Sequence, residues 1–165
     1  MRRRLLLFTL TGLILFGCQP SAVQQQRQVD RLSRIFPTLE QLRVEGFGNE
    51  EWCKYMTYRR GRFFGNSGAQ TCNVLSGTAQ RFDAQAQQDF EQVEGAIAAT
   101  GGKLYRIRDL KYAPNGSIVG ATFTLDSGMY VYAPAFQALP EDLPNEIEHT
   151  AINQDWYVSR MVDWN

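Results

Sequence analysis

The chain has 165 residues, with 17 Lys and Arg against 17 Asp and Glu, one histidine and three cysteines. Setting aside residues 1–17, for reasons given below, leaves 148 residues with 14 basic and 17 acidic side chains, a net charge of about −3. That length suits one domain with a sizeable core. The charge excludes a protein that holds polyanions such as nucleic acid by bulk positive potential.

Arg2, Arg3 and Arg4 precede residues 5–16, an apolar run interrupted only by Thr9, Thr11 and Gly12. A positive start followed by a short apolar run is the layout of a secretory signal. The run is too short for an ordinary membrane span, which needs about 20 apolar residues.

The segment Leu15-Phe16-Gly17-Cys18 resembles the lipobox of bacterial lipoproteins, with Phe16 bulkier than the family's usual residue there. The resemblance covers residues 1–18 and no more. It implies a diacylglyceryl group on the Cys18 thiol, cleavage before Cys18, and a lipid bilayer as partner through the acylated cysteine. Two or three acyl chains, at about 0.8 kcal/mol per buried CH₂, anchor stably where one does not. It also implies an exported protein. Gln19, rather than Asp, after the cysteine favours the periplasmic side of the outer membrane in a cell with two membranes; otherwise the place is the outer face of the plasma membrane. The expected organisation is a signal peptide at 1–17, the lipidated cysteine and a short glutamine-rich tether or helix start at 18–28, and one domain at 29–165.

Val29, Leu32, Ile35 and Phe36 follow a helical spacing that Pro37 is expected to stop. Leu39, Leu42 and Val44 suggest a short continuation, and Gly46-Phe47-Gly48-Asn49 reads as a turn. Residues 52–58 read as an aromatic strand, 59–62 as its turn, and Phe63-Phe64 as the start of a partner. With Cys18 committed to lipid, Cys53 and Cys72 remain in an oxidising compartment. They are expected to form a disulfide closing a 20-residue loop, worth roughly 3 kcal/mol; the alternative is two buried free thiols.

Ala86, Phe90, Val93 and Ile97 mark one face of an amphipathic helix, with Asp83 as N-cap and Gly101-Gly102 as its stop. Gly95 inside it suggests a close approach to a sheet. Residues 104–112 and 118–125 form a hairpin about Ala113-Pro114-Asn115-Gly116, with Val119, Ala121, Phe123 and Leu125 facing the helix. Residues 129–133 and 156–164 supply two more strands, separated by an acidic loop among Pro134, Pro140 and Pro144. The expected fold class is α+β: helices packed on an antiparallel sheet of about four strands, a single domain with one disulfide.

Candidates for chemistry are few. His149 is the lone histidine, so any Ser-His or Cys-His arrangement must use it. Glu146-x-x-His149 has the spacing of half a di-iron motif without its other half, and reads instead as a solvated acidic loop. Glu50-Glu51 and Glu141-Asp142 are adjacent only in sequence. No metal site, cofactor or catalytic residue is assigned. Two clusters stand out: Arg59, Arg60 and Arg62 among aromatics, a candidate contact for an anion or partner, and Tyr130 and Tyr132, a candidate aromatic face. The expected function is a membrane-anchored envelope lipoprotein with a non-catalytic accessory, assembly or partner-binding role, for instance in an envelope protein complex. The alternatives are a module for a small apolar ligand or glycan, held between helix and sheet near Phe90 and Phe123, and a hydrolase with unassigned catalytic residues.

Overall fold

Ser21 opens the first helix with a capping box: its hydroxyl accepts from the Gln24 backbone N–H, and the Gln24 side chain accepts from the Ser21 N–H at 2.7 Å. The computed structural model describes residues 20–65, 79–134 and 147–161. Helix α1 (Ala22–Ser33) buries Val29 and Leu32, and the chain re-enters a helix at once in α2 (Phe36–Leu42). Pro37 therefore opens a helix and does not stop one. It sits in the first turn of α2, where a backbone N–H has no intrahelical acceptor and its loss costs nothing.

The strands are β1 (Gly46–Glu50), β2 (Cys53–Tyr58), β3 (Gly61–Phe64), β4 (Gln80–Arg81), β5 (Leu104–Tyr112), β6 (Ile118–Leu125), β7 (Gly128–Tyr132), β8 (Ile147–Ala151) and β9 (Trp156–Met161). Helix α3 (Ala84–Ala98) lies between β4 and β5, capped by Asp83 as its sequence predicts. The strands form one sheet in the order β4-β3-β2-β1-β5-β6-β7-β9-β8. Among the described strands only β3 and β4 run parallel, so the sheet is mixed.

A sheet of about four antiparallel strands is thus corrected to nine. The difference begins at β1. The Gly-Phe-Gly-Asn segment is no turn but a strand paired on both sides, with β2 through Gly46–Glu50 and with β5 through Phe47 and Gly48. It joins the cysteine-bearing hairpin to the later strands as one surface. The expected acidic loop likewise contains β8, paired with β9 over Ile147–Ala151. Cys53 is buried beside Tyr55 and Phe64 and is disulfide-bonded. Cys72, its expected partner, lies outside the described residues, so no complete cystine lies within them.

All three helices cover the same face. The registers align a row of core side chains across it: Phe63, Met56, Phe47, Ile107, Phe123, Tyr130 and Val158. Phe90 of α3 stacks on Phe47 with centroids 4.8 Å apart, and Phe36 of α2 meets Tyr132 at 4.9 Å and Trp156 at 5.9 Å. Phe90 and Phe123 are thus packed core residues. Gly95 has open space at its Cβ position, so no close approach explains it.

One alternation is displaced. Ile118, not Val119, joins Ala121, Phe123 and Leu125 on the covered face, and Val119 is 39% exposed. The register slips between Lys111↔Gly120 and Tyr112↔Ile118. One extra residue in a strand exchanges its faces.

Candidate functional site

The second face of the sheet carries two small buried clusters, Cys53-Tyr55-Phe64 and Val131-Ala133-Tyr157, and between them a set of polar side chains. Because opposite residues share a face across each ladder, the strand registers place Tyr55, Gly48, Arg106, Thr124, Met129, Ser159 and His149 in one transverse row from β2 to β8. Arg108, Thr122, Val131 and Tyr157 occupy the next row. Over β5, β6, β7, β9 and β8 this face forms a groove of about 780 Å³. Its apolar lining from this face is Met129, Ile147 and Met161, with Leu125 of the covered face reaching its end, and its polar lining includes Arg106, Arg108, Asp126 and Ser159.

The two β5 arginines do different work. Arg106 directs Nη2 at both carboxylate oxygens of Glu50, at 2.9 and 3.0 Å, while its Nε is shielded and has no acceptor. The pair is three-quarters buried, so the cation is committed to holding β5 against β1. It also helps to ionise Tyr55, but burial is the larger influence and raises that phenol's pKa. Arg108 is about half exposed. Its Nη2 lies 3.3 Å from the Met129 sulfur, and its Nε lies 3.7 Å from the neighbouring Asp109. Neither contact is strong, so Arg108 presents an available cation over an apolar floor. At the groove's end the Tyr105 hydroxyl donates to Asp126, which raises the tyrosine pKa.

Ser159 and His149 face each other in register, Oγ to Nδ1 at 2.6 Å. The sheet thus brings the lone histidine to a hydroxyl, a pairing invisible in sequence. Ser159 lines the groove but is only 3% exposed, its hydroxyl being taken up by His149. The contact fastens edge strand β8 to β9 as a cross-strand pair.

The clusters expected from sequence are dispersed. Arg59 donates to the Gln41 carbonyl at 3.3 Å. Arg60 binds both oxygens of Asp83 at 3.2 and 3.0 Å, donates to the Tyr58 hydroxyl, and lies 5.7 Å from the Phe63 ring centre. The Arg60 bond, followed by the Ala86 N–H, holds Asp83 below the usual carboxylate range. Arg62 is exposed on β3. Arg59 thus braces the β2–β3 turn against α2 and Arg60 braces it against the start of α3, so the two point to different places. Tyr130 is 1% exposed and Tyr132 packs under Phe36, so together they form core and not an open aromatic face. Glu50 and Glu51 separate, Glu50 pairing with Arg106. Cys18, Glu141, Asp142 and Glu146 lie outside the described residues. Among those described, no three of His, Cys, Asp and Glu cluster as metal ligands, and no helix is long and apolar enough to cross a membrane.

Sequence reasoning passed over Arg106 and Arg108. Their spacing of two on a predicted strand already places both on one face. Their juxtaposition with Met129 and Met161 depends on the strand order, which no local signal carries. Comparison with family models, characterised proteins and solved structures finds no match to this chain.

Proposed function

We propose that this chain is an exported lipoprotein, held to a bilayer by acyl chains on Cys18, that serves without catalysis as an accessory protein by binding an amphiphile with an apolar body and an anionic head. The binding half rests on one observation: the open-face groove sets the available Arg108 guanidinium beside a floor of Met129, Met161 and Ile147. A few placed polar groups on a mostly apolar concavity orient a ligand whose tail supplies the buried area. Methionine lining adapts to tails of differing shape. A carboxylate or phosphate accepts a paired donor set from Arg more strongly than from a neutral donor. The anchoring half rests on the lipobox-like segment.

Two measurements test the halves separately. Titration of the membrane-extracted chain with a fluorescent fatty-acid analogue is expected to saturate at one site and to reverse on adding dodecanoate. Absence of saturable binding, or equal displacement by dodecanol, rejects the anionic groove. Intact mass of the same protein is expected to show a diacylglyceryl modification at Cys18, and an unmodified thiol there rejects the anchor.

A further inference from the structure

Beside α1, on the helix-covered side of the sheet, a second groove of about 420 Å³ is lined by Pro20, Arg27, Gln28, Arg31 and Ser127, among others. Arg27 and Arg31 stand one helical turn apart, both exposed, and neither has an acidic partner among the described residues. The single acid of α1, Asp30, accepts from the Gln26 amide at 2.8 Å and does not line the groove. Val23, one turn before Arg27 on the same stripe, is 61% exposed. Pro20 is two residues beyond Cys18, so the groove begins within about 7 Å of the cysteine even along a fully extended chain.

We infer that this stripe of α1 is a second membrane contact, in which Arg27 and Arg31 take the phosphate of an anionic phospholipid while Val23 enters the interface. The inference rests on the lipoprotein reading for its geometry: acyl chains on Cys18 fix Pro20 at headgroup depth, where two unpaired cations meet phosphate in register. Charge complementarity selects the occupant, because anionic headgroups attract juxtamembrane arginines within a Debye length. A lipid chain and a basic patch together orient a domain that acyl chains alone leave free to rotate. Ser127 lies in the turn between β6 and β7, and its neighbours Asp126 and Gly128 line the open-face groove. Docking through α1 therefore places one end of that ligand groove next to the bilayer.

Residues 19–165 contain every described helix and strand and lack the acylated cysteine, so their vesicle binding reports the stripe alone. Co-sedimentation is expected with vesicles of phosphatidylglycerol in phosphatidylcholine, weakly with phosphatidylcholine alone, and to fall as salt rises. The double variant Arg27→Gln/Arg31→Gln is expected to lose about 30-fold in partitioning. Arg59→Gln/Arg62→Gln, an equal charge change on the β2–β3 hairpin, is expected to leave it unchanged. Both pairs are exposed, and each double variant is expected to keep the circular dichroism of the parent. Equal binding to the two vesicle types, or an equal loss in the two double variants, overturns the inference. Binding of soluble glycerophosphate in place of vesicles also overturns it and assigns the groove to a free phosphate. None of these results bears on the mass of Cys18, so failure here is distinct from failure of the anchor.

Discussion

The ring of Tyr55 lies across Gly48: a Cβ added at Gly48 would stand 2.1 Å from Tyr55 Cε1 and 2.6 Å from Cδ1. The glycine is there for packing, since the ring of β2 needs the floor of β1 on the open face. Gly48→Ala is expected to destabilise the fold by about 3 kcal/mol, since a buried ring must leave its place. Chemical denaturation measures the loss. Tyr55→Ala combined with Gly48→Ala is expected to cost less than the sum of the singles, because the clash vanishes with the ring. Strict additivity would show that the ring does not set the identity of residue 48.

This contact also explains what the sequence could and could not disclose. Gly-Phe-Gly-Asn has turn chemistry, and the ring that requires Gly48 comes from the next strand. Strand β8 was hidden in the same way, being short, at an edge and flanked by prolines. Local signals did identify the α3 cap at Asp83, the β5–β6 hairpin and the aromatic β2–β3 pair, since each depends on neighbours a few residues away. The slip that turned Ile118 inward arises between two strands and leaves no trace in either alone. The groove is illegible for the stronger reason that its row assembles side chains from five strands.

Beneath α3, Tyr58 donates to Asp89 Oδ2 at 2.8 Å while Gln85 donates to Oδ1 at 2.9 Å, and Asp89 is 5% exposed. Tyr58→Phe removes a hydrogen bond to a charged, shielded acceptor and is expected to cost about 2 kcal/mol. Asp89→Ala is expected to cost about 3 kcal/mol, because it takes the acceptor from the buried Tyr58 hydroxyl. A double-mutant cycle should return a coupling above about 1 kcal/mol, and a coupling of zero would mean that the hydroxyl finds another acceptor.

Tyr112 ties β5 to the end of α2 and the segment after it, its hydroxyl lying 2.5 Å from the Val44 carbonyl and 3.2 Å from that of Leu39. Burial is the main cause that pushes its pKa up to about 12; Arg43 opposes the rise, and Glu40 and Glu45 add to it. In the unfolded chain the phenol ionises near pH 10. Between about pH 10 and 12 the unfolded state therefore holds fewer protons than the folded one, and stability falls as pH rises. The contribution is complete below pH 10 and lost above 12. Because the group is only half buried, about 1–2 kcal/mol is expected through that window. Urea midpoints measured from pH 9 to 12 should fall less steeply in Tyr112→Phe, and an unchanged slope would assign the alkaline loss to Tyr55, Tyr58 and Tyr132, whose pKa values are also raised.

The open-face groove makes a prediction that separates head from tail. Arg108 has only weak contacts to lose, so Arg108→Gln is expected to leave the thermal midpoint within a degree or two. It should weaken dodecanoate binding about tenfold or more while leaving dodecanol unaffected, because only the carboxylate uses the charge-assisted bond. Met129→Ala should weaken both ligands by a similar, smaller factor, because it removes apolar floor without touching the head. Arg106→Gln is expected to behave differently from Arg108→Gln despite lying two residues away. It leaves Glu50 unpaired in a mostly buried setting and should show first as lost stability. Equal effects of the two arginine substitutions on dodecanoate, with stability unchanged in both, would mean that the Glu50 pair opens to admit the ligand and that Arg106 shares the head.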